Sequence, residues 1–328
     1  MMFEENPQVA PHRRSLLAPP ARPLTRAEAI FWNERELRAG WRLAIFALIV
    51  FVINLGGSKL TIALHLPKFT SSNFTLRGML FQESVRFLAV LLATAIMGFL
   101  EGRPLGGYGL PRDGAFRARF WQGVAWGIAM ITMVLLLIRA FGGFSFGEFV
   151  LRGSAIWRYA ALWGVGFVLV GFFEEYQFRG YPQFTLATGM GFWPAASVLS
   201  AVFGAVHLLN PGEDKIGALS VFVIAMFFCL TLRRTGSLWF AVGLHAAFDW
   251  GETFLYSVPD SGLVAPGHLL NSSFHGAAWL TGGSVGPEGS VMAFAVVGLA
   301  ALIFARVYPS RTGFSLSGLP NQTADKPN

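Results

Sequence analysis

The chain has 328 residues, of which 54% are hydrophobic and 13% charged, and its mean hydropathy is +0.52. That is about half the charge of a soluble globular domain, which excludes a soluble single core, while 32 Phe and 10 Trp exclude a solvated, disordered chain. The net charge of +7 does not mark a nucleic-acid surface, because the basic residues avoid the apolar runs and cluster between them; the single cysteine, Cys229, excludes disulfide frameworks and Cys-based zinc sites.

Residues 1 to 24 are polar and rich in Arg and Pro, with no apolar core or cleavage site of a signal peptide, and are expected to form a disordered tail. Thr25 and Glu28 make a capping-box pattern ahead of Ala29, Ile30, Phe31 and Trp32, so the stretch to residue 40 is expected to hold a short interfacial helix. A bilayer core about 30 Å thick needs roughly 20 helical residues. Apolar runs near that length fall at 42–60, 84–100, 119–141, 157–178, 191–209, 216–232, 237–256 and 290–308. The expected fold is all-α, a polytopic transmembrane helical bundle of about eight spans embedded in a lipid bilayer. N-terminal membrane helices occupy 41–154, a second membrane unit occupies 155–310, and residues 311–328 form a disordered C-terminal tail.

Arginines cluster ahead of the first span, between spans two and three (Arg103, Arg112, Arg117, Arg119) and between six and seven (Arg233, Arg234), whereas 257–289 holds no Lys or Arg. By the positive-inside rule both termini are expected in the cytoplasm, of a bacterial-style plasma membrane. The Gly-rich stretch Thr281 to Ser290 lacks the preceding strand and the Lys of a phosphate loop, and reads as a tight re-entry turn before the last span.

A charge at the bilayer centre costs on the order of 2.5–3.5 kcal/mol, so each ionisable residue inside a span needs a reason. Span four carries Glu174, Glu175 and Arg179; span five carries His207; span seven carries His245, Asp249 and Glu252. Glu175 and Arg179, Phe203 and His207, and His245 and Asp249 are each four apart and share a helix face. The adjacent glutamates point about 100° apart, so one can face a site while the other is held elsewhere, most simply by Arg179. If the fourth helix continues past Arg179 to a turn near Gly189 to Gly191, bending at Gly171, Gly180 or Pro182, Glu174 and His207 reach similar depth. Glutamate, two histidines and an aspartate then match the O/N ligand set of zinc or a similar divalent ion, and a carboxylate beside the metal would move a proton from water to a leaving amine. His65 and His268 read as packed histidines, and Glu252 as either a cavity or an interfacial charge.

Glu174-Glu175-x-x-x-Arg179, Phe203-x-x-x-His207 and His245-x-x-x-Asp249, in that order on successive apolar segments, resemble the CAAX-protease and bacteriocin-processing (CPBP or Abi) family of intramembrane proteases. With flanking helices the resemblance covers roughly 155–310. It implies an endopeptidase acting on a membrane-associated protein or peptide, in which Glu174 activates water, Glu175 and Arg179 support the site, and His207, His245 and Asp249, beside Glu174, bind a divalent metal such as zinc or an oxyanion. Many relatives carry Asn at the last position; Asp249 adds a negative charge that favours a metal over a developing oxyanion. The rival readings are a catalytically idle scaffold or immunity protein and an ion-coupled transporter built on the same carboxylates.

Overall fold

The computed structural model describes residues 15–64, 76–263 and 267–309. The expected C-terminal tail, residues 1–14 of the N-terminal one, and His65 lie outside the described residues. Residues 15–24 are not a free tail: the Leu16 amide donates to the Leu100 carbonyl (2.7 Å) and the Leu37 amide to that of Leu17 (3.0 Å), so this segment is laid along the end of a membrane helix by main-chain hydrogen bonds. The capping box forms in full, with Glu28 Oε2 accepting from the Thr25 amide and hydroxyl, both at 2.9 Å. Arg22 pairs with the same carboxylate and, with these bonds, holds it down at about 2. The helix that follows, α1 (Glu28–Phe31), is one turn long.

The membrane helices are α2 (Ala39–Ala63), α3 (Leu76–Glu101), α4 (Ala118–Ala140), α5 (Ser154–Arg179), α6 (Tyr181–Met190), α7 (Phe192–His207), α8 (Lys215–Thr235), α9 (Trp239–Trp250) and α11 (Val291–Val307), with the single turn α10 (Ala278–Thr281) before the last. A helix or helical pair falls on each of the eight apolar runs, and α2, α3, α4, α8 and the continuous stretch Ser154–Met190 are long and apolar enough to cross a membrane. The protein is an integral membrane protein. The fourth run does continue to Met190, and it bends at Gly180, whose φ −80° and ψ −126° break the helix, with Pro182 opening α6. Sequence signals set the other boundaries: Asp214 caps α8 by accepting from the Ile216 and Gly217 amides, Ser290 caps α11, and Gly236 closes α8 in the left-handed conformation. The stretch 281–290 is the re-entry turn expected of it.

Helix α9 is the centre of the bundle. Every residue from Trp239 to Asp249 is buried, with α4, α5 and α8 packed around it. It is shorter than a bilayer is thick because neighbours, not lipid, surround it, and it runs on into a π-helical turn, Gly251–Tyr256. A Gly-x-x-x-Gly pair on α4, Gly123 and Gly127, faces the Phe240 and Leu244 carbonyl oxygens, and Gly243 of α9 faces that of Phe120; any Cβ at these positions would collide with backbone. Small residues let membrane helices approach closely, where dispersion and weak polar contacts replace the hydrophobic effect that lipid does not supply. Gly123→Val is therefore expected to destabilise the bundle by at least the about 1–3 kcal/mol of an overpacked core. Gly298→Val on α11, where a Cβ meets nothing within 4 Å, is the control. Thermal unfolding in detergent should show a clear fall for the first and none for the second.

The helix ends define two faces. On one, Arg42 at the start of α2 reaches Glu101 at the end of α3 (3.4 Å) and Glu36 (2.8 Å), the Tyr108 and Tyr181 hydroxyls donate to Glu101, and Leu238 ahead of α9 bonds to Gly109. On the other lie the end of α7, the start of α8, the π-helical turn and the loops that follow it. A two-residue ribbon there pairs β1 (Phe144–Ser145) with β2 (Ser273–Phe274).

Candidate active site

The last two turns of α5 carry Glu174, Glu175 and Arg179 and lie against α9, which carries His245 and Asp249. Gly171 permits this approach, since a Cβ there would sit 3.0 Å from the Val242 carbonyl oxygen. His207 is the last residue of α7, at the point where the chain leaves the membrane helix.

The adjacent glutamates divide as their 100° separation requires. Glu175 is fully buried and its Oε1 accepts from Arg179 (3.1 Å) and from His245 Nδ1 (2.9 Å). Arg179 is itself buried, with its guanidinium over the rings of Phe203 (4.4 Å) and Phe228 (5.4 Å). Phe228 stacks on His245 with ring centroids 5.2 Å apart. Donation from Nδ1 to Glu175 fixes the imidazole tautomer and leaves Nε2 turned to the other side. There it meets Glu174 Oε2 at 3.6 Å and Asp249 Oδ2 at 3.4 Å. Glu174 keeps 20% of its side chain exposed where Glu175 keeps none, so Glu174 is the carboxylate that solvent can reach.

Glu174, His207, His245 and Asp249 line one cavity of about 310 Å³, with Phe203, Phe228 and Phe248 as apolar wall. Glu175 and Arg179 stand behind His245. Glu174 and His207 thus line the same cavity. The cavity has a further rim of polar residues: Glu83 and Arg86 of α3, paired at 2.8 Å, Asn210 after α7, and Asp260, Ser261 and Glu288 from the loops beyond α9. Glu83 is 3% exposed and lies one residue outside the second apolar run; its charge pair with Arg86 at the span's edge is the signal that would have found it. The loop residues give no such signal. Glu213, in the α7–α8 loop, is pushed up to about 7 by burial and then by the charge of Glu288.

Both histidines are presented in the manner of metal ligands. His207 Nδ1 bonds to the Phe203 carbonyl oxygen (2.8 Å) and His245 Nδ1 to Glu175, and such outer partners orient an imidazole so that Nε2 is free to bind. An Nε2 lone pair facing two carboxylates calls for a positive charge between them, a proton or a cation. The residue types are those that hold a zinc-class ion, although Glu174, His207, His245 and Asp249 do not form a close-set group. Among the described residues, the one group of three or more His, Cys, Asp or Glu side chains whose ligand atoms all lie within 4.8 Å of one another is Asp249, Glu252 and Asp260; it contains neither histidine, and the expected set of Glu174, His207, His245 and Asp249 is not brought that close.

Fold and cavity together define a polytopic helical membrane protein with a buried carboxylate–imidazole–guanidinium site. Residues 155–251 match the family model Rce1-like, described as type II CAAX prenyl endopeptidase Rce1-like, in agreement with the CAAX-protease resemblance of the three motifs. All seven motif residues from Glu174 to Asp249 lie inside the matched segment, and Glu83, Glu252, Asp260 and Glu288 lie outside it. No curated protein matches the chain.

Proposed function

We propose that this protein is an intramembrane endopeptidase that hydrolyses a peptide bond of a membrane-associated protein or peptide in the cavity between α5, α7 and α9. The observation that carries the reading is the hydrogen-bonded series Arg179–Glu175–His245 ending on an Nε2 beside the accessible carboxylate of Glu174. Glu174 is the general base: it takes a proton from water as the water oxygen attacks the scissile carbonyl carbon, then returns a proton to the amine as the C–N bond breaks, leaving a carboxylate and an amine. Arg179 holds Glu175, Glu175 holds His245 in one tautomer, and His245 Nε2 is thereby fixed beside Glu174. Preorganisation of this kind costs no rearrangement during the reaction. His207 and His245 through Nε2, with Asp249 and beside Glu174, would hold a zinc-class ion, which when bound polarises the carbonyl and acidifies the attacking water.

The reading is tested by incubating the protein, reconstituted in liposomes, with prenylated and unprenylated membrane-anchored peptides and identifying new termini by mass spectrometry. His207→Ala and His245→Ala are each expected to lose bound zinc, by elemental analysis, together with cleavage. Asp249→Asn should weaken zinc binding if Asp249 is a ligand, and retain it if Asp249 only orients His245. Full cleavage after exhaustive chelation, in protein free of metal, would leave Glu174 acting without an ion.

The polar rim of the cavity belongs to the face formed by the α7–α8 loop and the loops after α9, opposite the face that carries Arg42, Arg103 and Arg233. We propose that the arginine-rich face is cytoplasmic, so that the cavity is reached from the far side and favours exported or membrane-embedded segments over cytoplasmic tails. In a Cys229→Ala background, Ala21→Cys should react with an impermeant thiol reagent only from the cytoplasm and His275→Cys only from the opposite side. Cytoplasmic labelling at 275 would reverse the assignment.

A further inference from the structure

A close-set group of acids lies at the edge of the catalytic cavity, and of its members only Asp249 enters the hydrolysis above. Asp249 and Glu252 are three apart on α9 and its π-helical continuation, so they share a helix face, and Asp260 is brought to them by the loop. Their ligand oxygens lie within 4.8 Å of one another. Proximity alone would not make a site. Glu252, however, is 0% exposed, and among the described residues neither of its carboxylate oxygens has a hydrogen-bond partner. A carboxyl group shut away from water with both oxygens unsatisfied is costly, unless something in the space it faces supplies the missing interaction. What it faces is two more carboxylates.

The surroundings are built to hold these acids in place. The Thr253 hydroxyl donates to Asp260 Oδ2 (3.1 Å), and the Asp260 turn is closed by reciprocal backbone bonds with Leu263. Glu288, from the re-entry turn, anchors the same loop by accepting from the Ser261 amide (3.0 Å) and hydroxyl (2.8 Å). Asp249, Thr253, Asp260 and Glu288 line the cavity, so two of the three acids open onto it. Arg86 and Arg179 are each engaged elsewhere, by Glu83 and Glu175.

We propose that Asp249, Glu252 and Asp260 bind a hard divalent cation of the calcium type, distinct from a zinc-class ion on the histidines. The donor set is all oxygen, which selects calcium, magnesium or manganese over zinc. Three oxygens within 4.8 Å of one another share a centre at no more than about 2.8 Å, close to the roughly 2.3–2.6 Å of a calcium–oxygen bond, and calcium tolerates the irregular geometry of two helix residues and one loop residue better than magnesium does. The ion ties the loop after α9 to the helix that carries His245, and Asp249 is the residue common to both sites.

The test is equilibrium dialysis of the purified full chain in detergent against calcium, with magnesium and zinc as comparisons, alongside thermal unfolding with and without calcium. The wild type should bind one equivalent of calcium and unfold at a higher temperature with it. Glu252→Gln, nearly isosteric, should weaken binding at least 10-fold and abolish the thermal shift, with zinc content unchanged. Asp260→Asn, on the loop, should do the same and stands in if the buried Glu252 variant does not fold. Absence of calcium binding by the wild type, unaltered binding in both variants, or loss of zinc together with calcium in both would overturn the proposal. Because the readout is binding, it holds or fails whether or not the protein cleaves peptides.

Discussion

Glu174→Gln should leave the protein folded and lower peptide cleavage by the 10²–10⁴-fold typical of losing a general base. Folding should survive because, among the described residues, Glu174 makes no short hydrogen bond: it lies 3.6 Å from His245 Nε2, and a fifth of its side chain is exposed. Glutamine fills the same space and keeps an acceptor, but cannot take the proton. Cleavage rates of wild type and variant in the same liposomes measure the effect. An effect confined to KM would move Glu174 from proton transfer to substrate binding.

Arg179→Ala should act on stability first. The guanidinium is 1% exposed, bonded to a carboxylate that is 0% exposed and covered by two aromatic rings, so its removal leaves Glu175 as an uncompensated buried charge. Breaking a buried pair from one side costs about 3–5 kcal/mol. Cys229 offers a reporter: the lone thiol is 1% exposed, so its rate of maleimide labelling follows opening of the bundle. The variant should label far faster than wild type at the same temperature. Replacing both partners, Glu175→Gln with Arg179→Met, should recover much of the stability, since no charge is then stranded, but not activity, because His245 Nδ1 has lost its carboxylate partner. Recovery of activity in that double variant would show that Glu175 has no part in setting the imidazole.

What the sequence disclosed and what it hid divide along physical lines. Lipid imposes a length and an apolar composition on every helix it touches, so the eight runs were legible, including 191–209 and 237–256 with their embedded histidines and acids. Helix α9 obeys a different rule, being wrapped by protein, and its π-helical ending leaves no mark in hydropathy. Glu174, Glu175, Arg179, His207, His245 and Asp249 stood out because charge inside an apolar run is expensive and therefore conspicuous. Their distribution, with Glu175 locked to Arg179 and His245 and Glu174 left open, required the real helix orientation, though the 100° between neighbours already demanded that they differ. Asp260, Glu288 and Asn210 were invisible for the opposite reason. Polar residues in a loop are ordinary, and only the folded chain returns these to the rim of the cavity. Glu252 lay between the two cases, and the structure places it inside, without a hydrogen-bond partner among the described residues.

In the proposed hydrolysis the Glu174 carboxylate delivers water to a peptide bond inside the bundle. Cleavage in water enriched in oxygen-18, with the purified protein in liposomes and the product termini read by mass spectrometry, tests it most directly. Wild-type protein should place one labelled oxygen in the new carboxylate, and Glu174→Gln should give at least a 100-fold smaller yield of labelled product, on the scale of a lost general base. Equal labelled product from both proteins would contradict it.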